Sequence, residues 1–141
     1  MVRTLDAACV LPITPDGEVI LVRQFRPALR KALLEVPAGL LDVEGEDPRS
    51  CVARELFEET GYRHDSLEAL GGVHTSAGFA TEYVHIFLAR TRAEPERTPE
   101  GGIEVVRRSY DATVAEARAG RIEDAKTVLA LLLADARTAG G

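Results

Sequence analysis

The spacing of apolar and polar positions divides the chain into short strands and three helices. Ala7 to Ile13 and Val19 to Phe25 are apolar runs separated by Thr14-Pro15-Asp16-Gly17, a strong turn signal, and together they predict a β-hairpin. The early part of the second run is apolar at both alternating sets of positions, which predicts burial on both faces, while its Arg23-Gln24-Phe25-Arg26 end approaches solvent. Leu33-Leu34-Glu35-Val36 predicts a third strand. It runs into Pro37-Ala38-Gly39, where Pro and Gly let the backbone turn sharply and come close to a bound ion. Leu67 to His74 and Tyr83 to Ala89 predict two more strands, joined by a polar connection from Thr75 to Glu82, and Ile103 to Arg108 predicts another. Asp111 is expected to cap a helix from Ala112 to Ala119 that Gly120 stops. Asp124 to Arg137 predicts a final helix with Ala125, Val128, Leu129, Leu132 and Leu133 as its apolar stripe, and both helices read as scaffold.

The remaining helix carries the densest chemistry. Asp47 can cap free N–H groups, Pro48 is pre-set for the first helical position and Gly61 supplies the stop, which predicts a helix from Pro48 to Thr60. At 100° per residue, Glu55, Glu58 and Glu59 fall within one arc of about 100°, with Val52, Ala53, Leu56 and Phe57 on the other side. Glu55 and Glu59 stand four apart, where like charges repel, so a cation is expected to offset them. Mg²⁺ fits a carboxylate cluster that has no His or Cys set beside it. The alternative is a solvated acidic face in which Arg54 pairs with Glu58.

Composition narrows the choice of partner. The 141 residues carry a net charge of −6, which argues against a nucleic-acid polymer but not against a small nucleotide, since a cation and a few Arg can reverse the field inside a cleft. One domain spanning residues 1–141 is expected. Cys9 and Cys51 belong to no CxxC or Cys/His cluster and read as small buried hydrophobes in a reducing compartment. Neither a signal peptide nor a membrane span is expected, which points to the cytoplasm.

Several other side chains invite a role. Arg23 and Arg26 read either as a phosphate or ribose clamp or as solvated strand-end charges. His74 and His85 fit hydrogen-bonded structural positions as readily as catalytic ones, and His64 reads as exposed. The charged, Pro-containing stretch from Arg90 to Gly102 predicts a surface loop carrying Glu94, Glu96 and Glu100, with Glu104 just behind it. Glu100 and Glu104 are the candidates for a general base that must reach a water, against the alternative of a solvated linker.

The stretch Arg54-Glu55-Leu56-Phe57-Glu58-Glu59-Thr60-Gly61-Tyr62, with seven residues separating Glu46 from Arg54, resembles the Nudix hydrolase box; Gly39 precedes Glu46 by one residue more than the box specifies. Val22 to Pro27, Leu34 to Gly39, Ser76 to Phe79 and Gly120 to Thr127 are similar to the ADP-ribose pyrophosphatase branch of that family, although Ala77 stands where the branch often has Pro. The resemblance implies an α+β fold of Nudix type, an α/β/α sandwich with a mixed sheet between helices. It implies Mg²⁺-dependent hydrolysis of the diphosphate bond of a nucleoside diphosphate sugar, with Mn²⁺ able to substitute, and for ADP-ribose the products AMP and ribose 5-phosphate. It implies metal ligation by Glu55, Glu59 and the carbonyl of Ala38. Glu58 would bind a further ion or its waters, Arg54 would orient the glutamates, and Glu46 would stabilise the loop–helix junction. Glu35 would contact base or sugar, or bond within the sheet, and Glu82 would touch substrate or a metal-bound water. Members of the branch commonly carry an N-terminal domain that grips adenine and forms the dimer; none is expected here, while a homodimer still is. The rival readings are another Nudix substrate, such as an oxidised nucleoside triphosphate, a diadenosine polyphosphate or another nucleotide sugar, and a Nudix-fold sensor that binds without turnover.

Overall fold

The computed structural model describes residues 2–140. Strand β1 (Ala7–Ile13) is the centre of the sheet, and all but its first residue are buried. It runs parallel to β6 (Tyr83–Thr91) along its whole length. On its other edge its first half pairs antiparallel with β4 (Ala38–Leu40), while its end meets β2 (Glu18–Arg26) only at Ile13 and Val19. The hairpin strands therefore splay apart, and β4 fills the gap. Beyond β2 lie β3 (Lys31–Glu35) on one edge and β7 (Glu104–Ser109) on the other, and β5 (His64–His74) closes the far side of β6. One parallel pair among antiparallel neighbours makes the sheet mixed, as expected.

Helices cover both faces, which completes the α/β/α layering. Helix α1 (Pro48–Thr60) packs Cys51, Val52 and Leu56 against Ala8, Val10 and Ile20. Helices α2 (Tyr110–Arg118) and α3 (Ala125–Gly140) set Val114, Ala117, Ala130, Leu131 and Ala134 against Cys9, Leu11, Val19 and Leu21 on the opposite face. Even-numbered positions of β1 and β2 thus face α1 and odd-numbered ones face α2 and α3, as strand alternation requires. Cys9 and Cys51 are buried and unpaired, and desolvation pushes their thiols up to about 12 and about 11, so both stay protonated.

Helix α1 has the predicted bounds, and its caps act as the sequence indicates. The Asp47 carboxylate accepts a hydrogen bond from Ser50 N–H at 2.8 Å, and Gly61 (φ 80°) donates its N–H to the Phe57 carbonyl at 2.9 Å. Five local expectations are corrected. The buried face of α3 is Thr127, Ala130, Leu131 and Ala134, while Ala125 and Leu132 of the expected stripe are exposed. Ala38–Leu40 is a strand and not only a turn, because β1 captures it in register. Ser109, not Asp111, caps α2, accepting from Ala112 N–H at 3.2 Å. His64 is half-buried at the start of β5 rather than exposed beyond the helix. Phe57 is not part of the buried stripe of α1; it lies half-buried under the guanidinium groups of Arg63 at 4.0 Å and Arg97 at 5.2 Å.

The loop after β6 contains a 3₁₀ turn at Glu100–Gly102. Along the outer strand β5, Arg49 donates to the Leu67 carbonyl at 2.9 Å, and Arg137 donates to the Ala69 and Leu70 carbonyls, each at 3.2 Å. Among the described residues no helix is long and apolar enough to cross a membrane.

Gly61 combines a left-handed backbone with a direct steric limit, since a Cβ there would overlap the Arg97 carbonyl oxygen. Gly61→Ala is expected to cost about 2–4 kcal/mol of stability, read as a lower urea midpoint at unchanged slope.

Candidate active site

The carboxylates of α1 do not share one environment. Arg54 is the hub of the outer group: its guanidinium donates to both oxygens of Glu46 at 2.9 Å, to Glu55 at 3.0 Å and to Glu58 at 3.2 Å. These bonds hold Glu46 below the usual carboxylate range and raise Arg54 further above its own. The expected Arg54–Glu58 pair is therefore present, but as one arm of a larger network that joins the loop before α1 to the helix.

Glu59 is different. Only 6 % exposed, it lies on the buried side of α1 with Cys51 and Leu56 and not on a solvated face. One oxygen accepts from Ala38 N–H at 3.3 Å, and the other, Oε1, is buried without a hydrogen-bond partner. Desolvation, followed by the adjacent Glu55, pushes its carboxyl up to about 9. Glu55 approaches the same backbone from above, so that a Cβ on Gly39 would stand 2.5 Å from the Glu55 carboxyl carbon. Two carboxylates thus converge on the Ala38-Gly39 strand, one of them with an orphaned oxygen.

Among the described residues, no three His, Cys, Asp or Glu side chains form a ready-made metal cage. The donor set is smaller: Glu55, Glu59 and main-chain groups of β4. It consists of oxygens only, and it includes a buried acceptor that nothing among the described residues satisfies. That set fits a hard divalent cation which takes one or two carboxylates from protein and completes its shell with water and phosphate.

The same short strand forms one wall of a cleft of about 520 Å³, lined also by Gln24, Arg26, Thr75, Glu82, Asp124 and Lys126. This volume suits a small-molecule ligand. Arg26 forms a bidentate pair with Glu35 at 2.7 and 2.5 Å, and Lys126 donates to Glu35 at 2.8 Å and to both oxygens of Asp124 at 3.1 Å. Burial works to raise the Glu35 carboxyl, but hydrogen bonds from Arg26 and Lys126 outweigh it and hold the group below its ordinary value. For Lys126 burial works to lower the ammonium, and the Asp124 and Glu35 charges overcome it. Both cations therefore remain charged beside the cleft. Also at the cleft, Glu82 accepts from the Thr75 hydroxyl at 2.7 Å.

The sequence-based candidates divide accordingly. Arg54, Glu55, Glu58, Glu59 and Ala38 come together, and Arg26 and Glu82 line the neighbouring cleft. For Glu35 the second alternative, a bond within the sheet, is the one found: at 1 % exposure its oxygens are engaged by Arg26 of β2 and by Lys126, so it acts from behind those residues and not on a base or sugar. Arg23 and Glu104 pair with each other at 3.0 Å, opposite one another in register on the α2/α3 side of the sheet, so neither joins the box carboxylates. Glu100 bonds Arg97 at 2.8 Å on the 3₁₀ turn, which packs against α1. His74 and His85 stack edge-on to either side of Tyr83 at 5.0 and 4.9 Å.

Gln24, Thr75, Asp124 and Lys126 join the cleft without being singled out by sequence reasoning. For the last two a signal existed. Asp124 is the N-cap of α3, accepting from Thr127 N–H at 3.2 Å, and a Lys two residues beyond a helix cap opposes the helix dipole unless carboxylates hold it there.

The NUDIX domain family matches residues 3–132. A protein named methanol dehydrogenase activator from Bacillus methanolicus and an ADP-ribose pyrophosphatase from Bacillus subtilis (strain 168) are each 36% identical over 135 residues, covering 93% of this chain and 72% of theirs. A GDP-mannose pyrophosphatase from Yersinia enterocolitica is 38% identical over 140 residues, covering 92% of this chain and 72% of its own. The fold is shared with a solved structure described as an ADP compounds hydrolase, with a TM-score of 0.82 and 24% identity over 96% of this chain and 73% of that one.

The environment of Glu59 also makes stability depend on pH. A carboxyl whose folded pKa is raised from 4.5 to about 9 stabilises the protein fully below pH 4.5, and that contribution is lost progressively as pH rises from there through 9. In chelator, the wild-type melting temperature should therefore fall between pH 5 and pH 9 by about 5 °C more than that of Glu59→Gln. Parallel profiles for the two proteins would refute the assignment.

Proposed function

The chain belongs to the Nudix family, and from that premise we propose that it hydrolyses the diphosphate bond of a nucleoside diphosphate sugar, foremost ADP-ribose to AMP and ribose 5-phosphate. Mg²⁺ is the proposed cofactor, with Mn²⁺ able to replace it. The observation that carries this reading is the position of Ala38 and Gly39, which meet Glu55 and Glu59 and also line the cleft beside Arg26 and Lys126. A diphosphate lying along that strand would meet carboxylate-held metal on one side and the donor groups of Arg26 and Lys126 on the other.

Glu55, Glu59 and the Ala38 carbonyl would hold the cation, with Glu58 supporting a further ion or its waters. Bound there, it would neutralise the diphosphate and lower the pKa of the attacking water. The remaining work falls to side chains. Arg54 fixes the direction of Glu46, Glu55 and Glu58. Arg26, aligned by Glu35, faces the substrate phosphates or ribose, and Glu82, aligned by Thr75, contacts the substrate at the same cleft. Glu100 is the proposed general base, because its turn packs against α1; the pairing of Glu104 with Arg23 on the other face takes it out of that role.

A second reading keeps the reaction and changes both the nucleobase and the sugar. The 38% identity to a GDP-mannose pyrophosphatase favours it, since the box handles phosphate and the discriminating groups lie elsewhere. The exposed apolar side chains Phe25, Leu29 and Phe79 support a homodimer of single-domain chains, and the unpaired thiols suit the cytoplasm.

The test is release of phosphomonoester from a panel of ADP-ribose, GDP-mannose, nucleoside triphosphates and diadenosine polyphosphates with Mg²⁺. ADP-ribose is expected to give the highest kcat/KM; preference for a triphosphate would overturn the assignment. Glu59→Gln should lower kcat by about 100-fold or more while leaving the circular-dichroism spectrum unchanged. Full turnover in that variant would remove the metal role.

A further inference from the structure

We propose that Thr127, in the first turn of α3, is a positioning residue for the metal-facing strand, holding Val36-Pro37-Ala38 in the geometry that a divalent cation needs. The inference rests on the reading of Ala38, Glu55 and Glu59 as the cation's ligands. Thr127 is fully buried, and its hydroxyl serves two partners at once. It accepts from Val36 N–H at 2.9 Å and donates to an Asp124 carboxylate oxygen at 2.6 Å. Asp124 also caps α3 through Thr127 N–H and takes the Lys126 ammonium, so the acceptor at the end of this relay is itself fixed.

Three successive residues are then pinned from three directions. Val36 N–H is held by Thr127, the Pro37 carbonyl accepts from Val10 N–H at 3.0 Å, and Ala38 N–H donates to Glu59 at 3.3 Å. Pro37 has a fixed φ and no N–H, so fewer torsions between Val36 and the Ala38 peptide can absorb a rotation introduced at Val36. Space-filling alone would be served by Val, which has nearly the same shape; a hydroxyl at this depth is costly unless both its bonds are made. Neither partner of Thr127 is a box residue, which is why the helix reads as scaffold when the sequence alone is considered.

The experiment is Mn²⁺ titration of the full chain, followed by loss of the free-ion electron paramagnetic resonance signal, for Thr127→Ser, Thr127→Cys and Thr127→Val. Ser keeps the hydroxyl and should bind as wild type, Cys should be weaker, and Val should raise the Mn²⁺ dissociation constant about tenfold or more, as expected when a residue behind a metal ligand is lost. Excess Mn²⁺ should restore turnover of ADP-ribose by the Val variant. Leu131→Ala, which weakens α3 from within the core, should bind Mn²⁺ normally despite lower stability, separating positioning from general loosening. If Val does not fold, the Ser-to-Cys difference decides. Wild-type Mn²⁺ affinity in Val, or in Cys where Val does not fold, would overturn the proposal, as would equal weakening by Ser. No Mn²⁺ binding by the wild type would overturn the ligand reading beneath it.

Discussion

The structure depends on one costly placement, the carboxylate of Glu59 buried beside that of Glu55. Two acidic groups that close together in a desolvated setting cannot both ionise without compensation, and among the described residues Glu59 receives a hydrogen bond only from a single main-chain N–H. Much of the surrounding architecture follows. Helix α1 must be capped firmly at both ends to hold the pair in place, β4 must approach closely enough to need glycine at position 39, and the outer carboxylates must be neutralised separately by Arg54. The cost of the pair is local, and the core clusters on the two faces of the sheet are apolar.

The sheet then sorts chemistry by face. Because β1 and β2 alternate, charged groups three apart on β2 have different fates. Arg26 shares the α1 side with Glu35 and pairs with it, whereas Arg23 turns to the other side and joins Glu104. The strand β4, which fills the splay between β1 and β2, and the N-terminal turn of α3 line the same cleft. A helix that packs by Ala130, Leu131 and Ala134 along its length therefore also supplies Lys126 at its start.

The box helix was legible because its determinants are local: Asp47, Pro48 and Gly61 specify its limits, and the glutamate spacing specifies which side chains neighbour one another. What the helical projection did not give was which arc would be buried. It grouped Glu59 with Glu55 and Glu58, yet Glu59 and Cys51 are covered by strands that arrive from elsewhere in the chain, and Phe57 is left near the surface under two arginines. Glu104 failed as a neighbour of the box for a similar reason, since facing depends on register across β2 and β7. Glu35 looked available because a strand-end acid usually is; its two cationic partners come from positions 26 and 126 and close it off. Ala38–Leu40 looked like a turn because three residues hold too little propensity to announce a strand without their partner.

The arginines along β5 bear on how copies of this chain can meet. An outermost strand with free carbonyls is a template on which another chain can lay down its own backbone, and the usual outcome is open-ended growth. Here Arg49 and Arg137 occupy the acceptors of Leu67, Ala69 and Leu70 with groups that cannot propagate a ladder. That part of the flank is consequently closed to backbone-to-backbone recruitment, and contact between copies there has to be made by side chains.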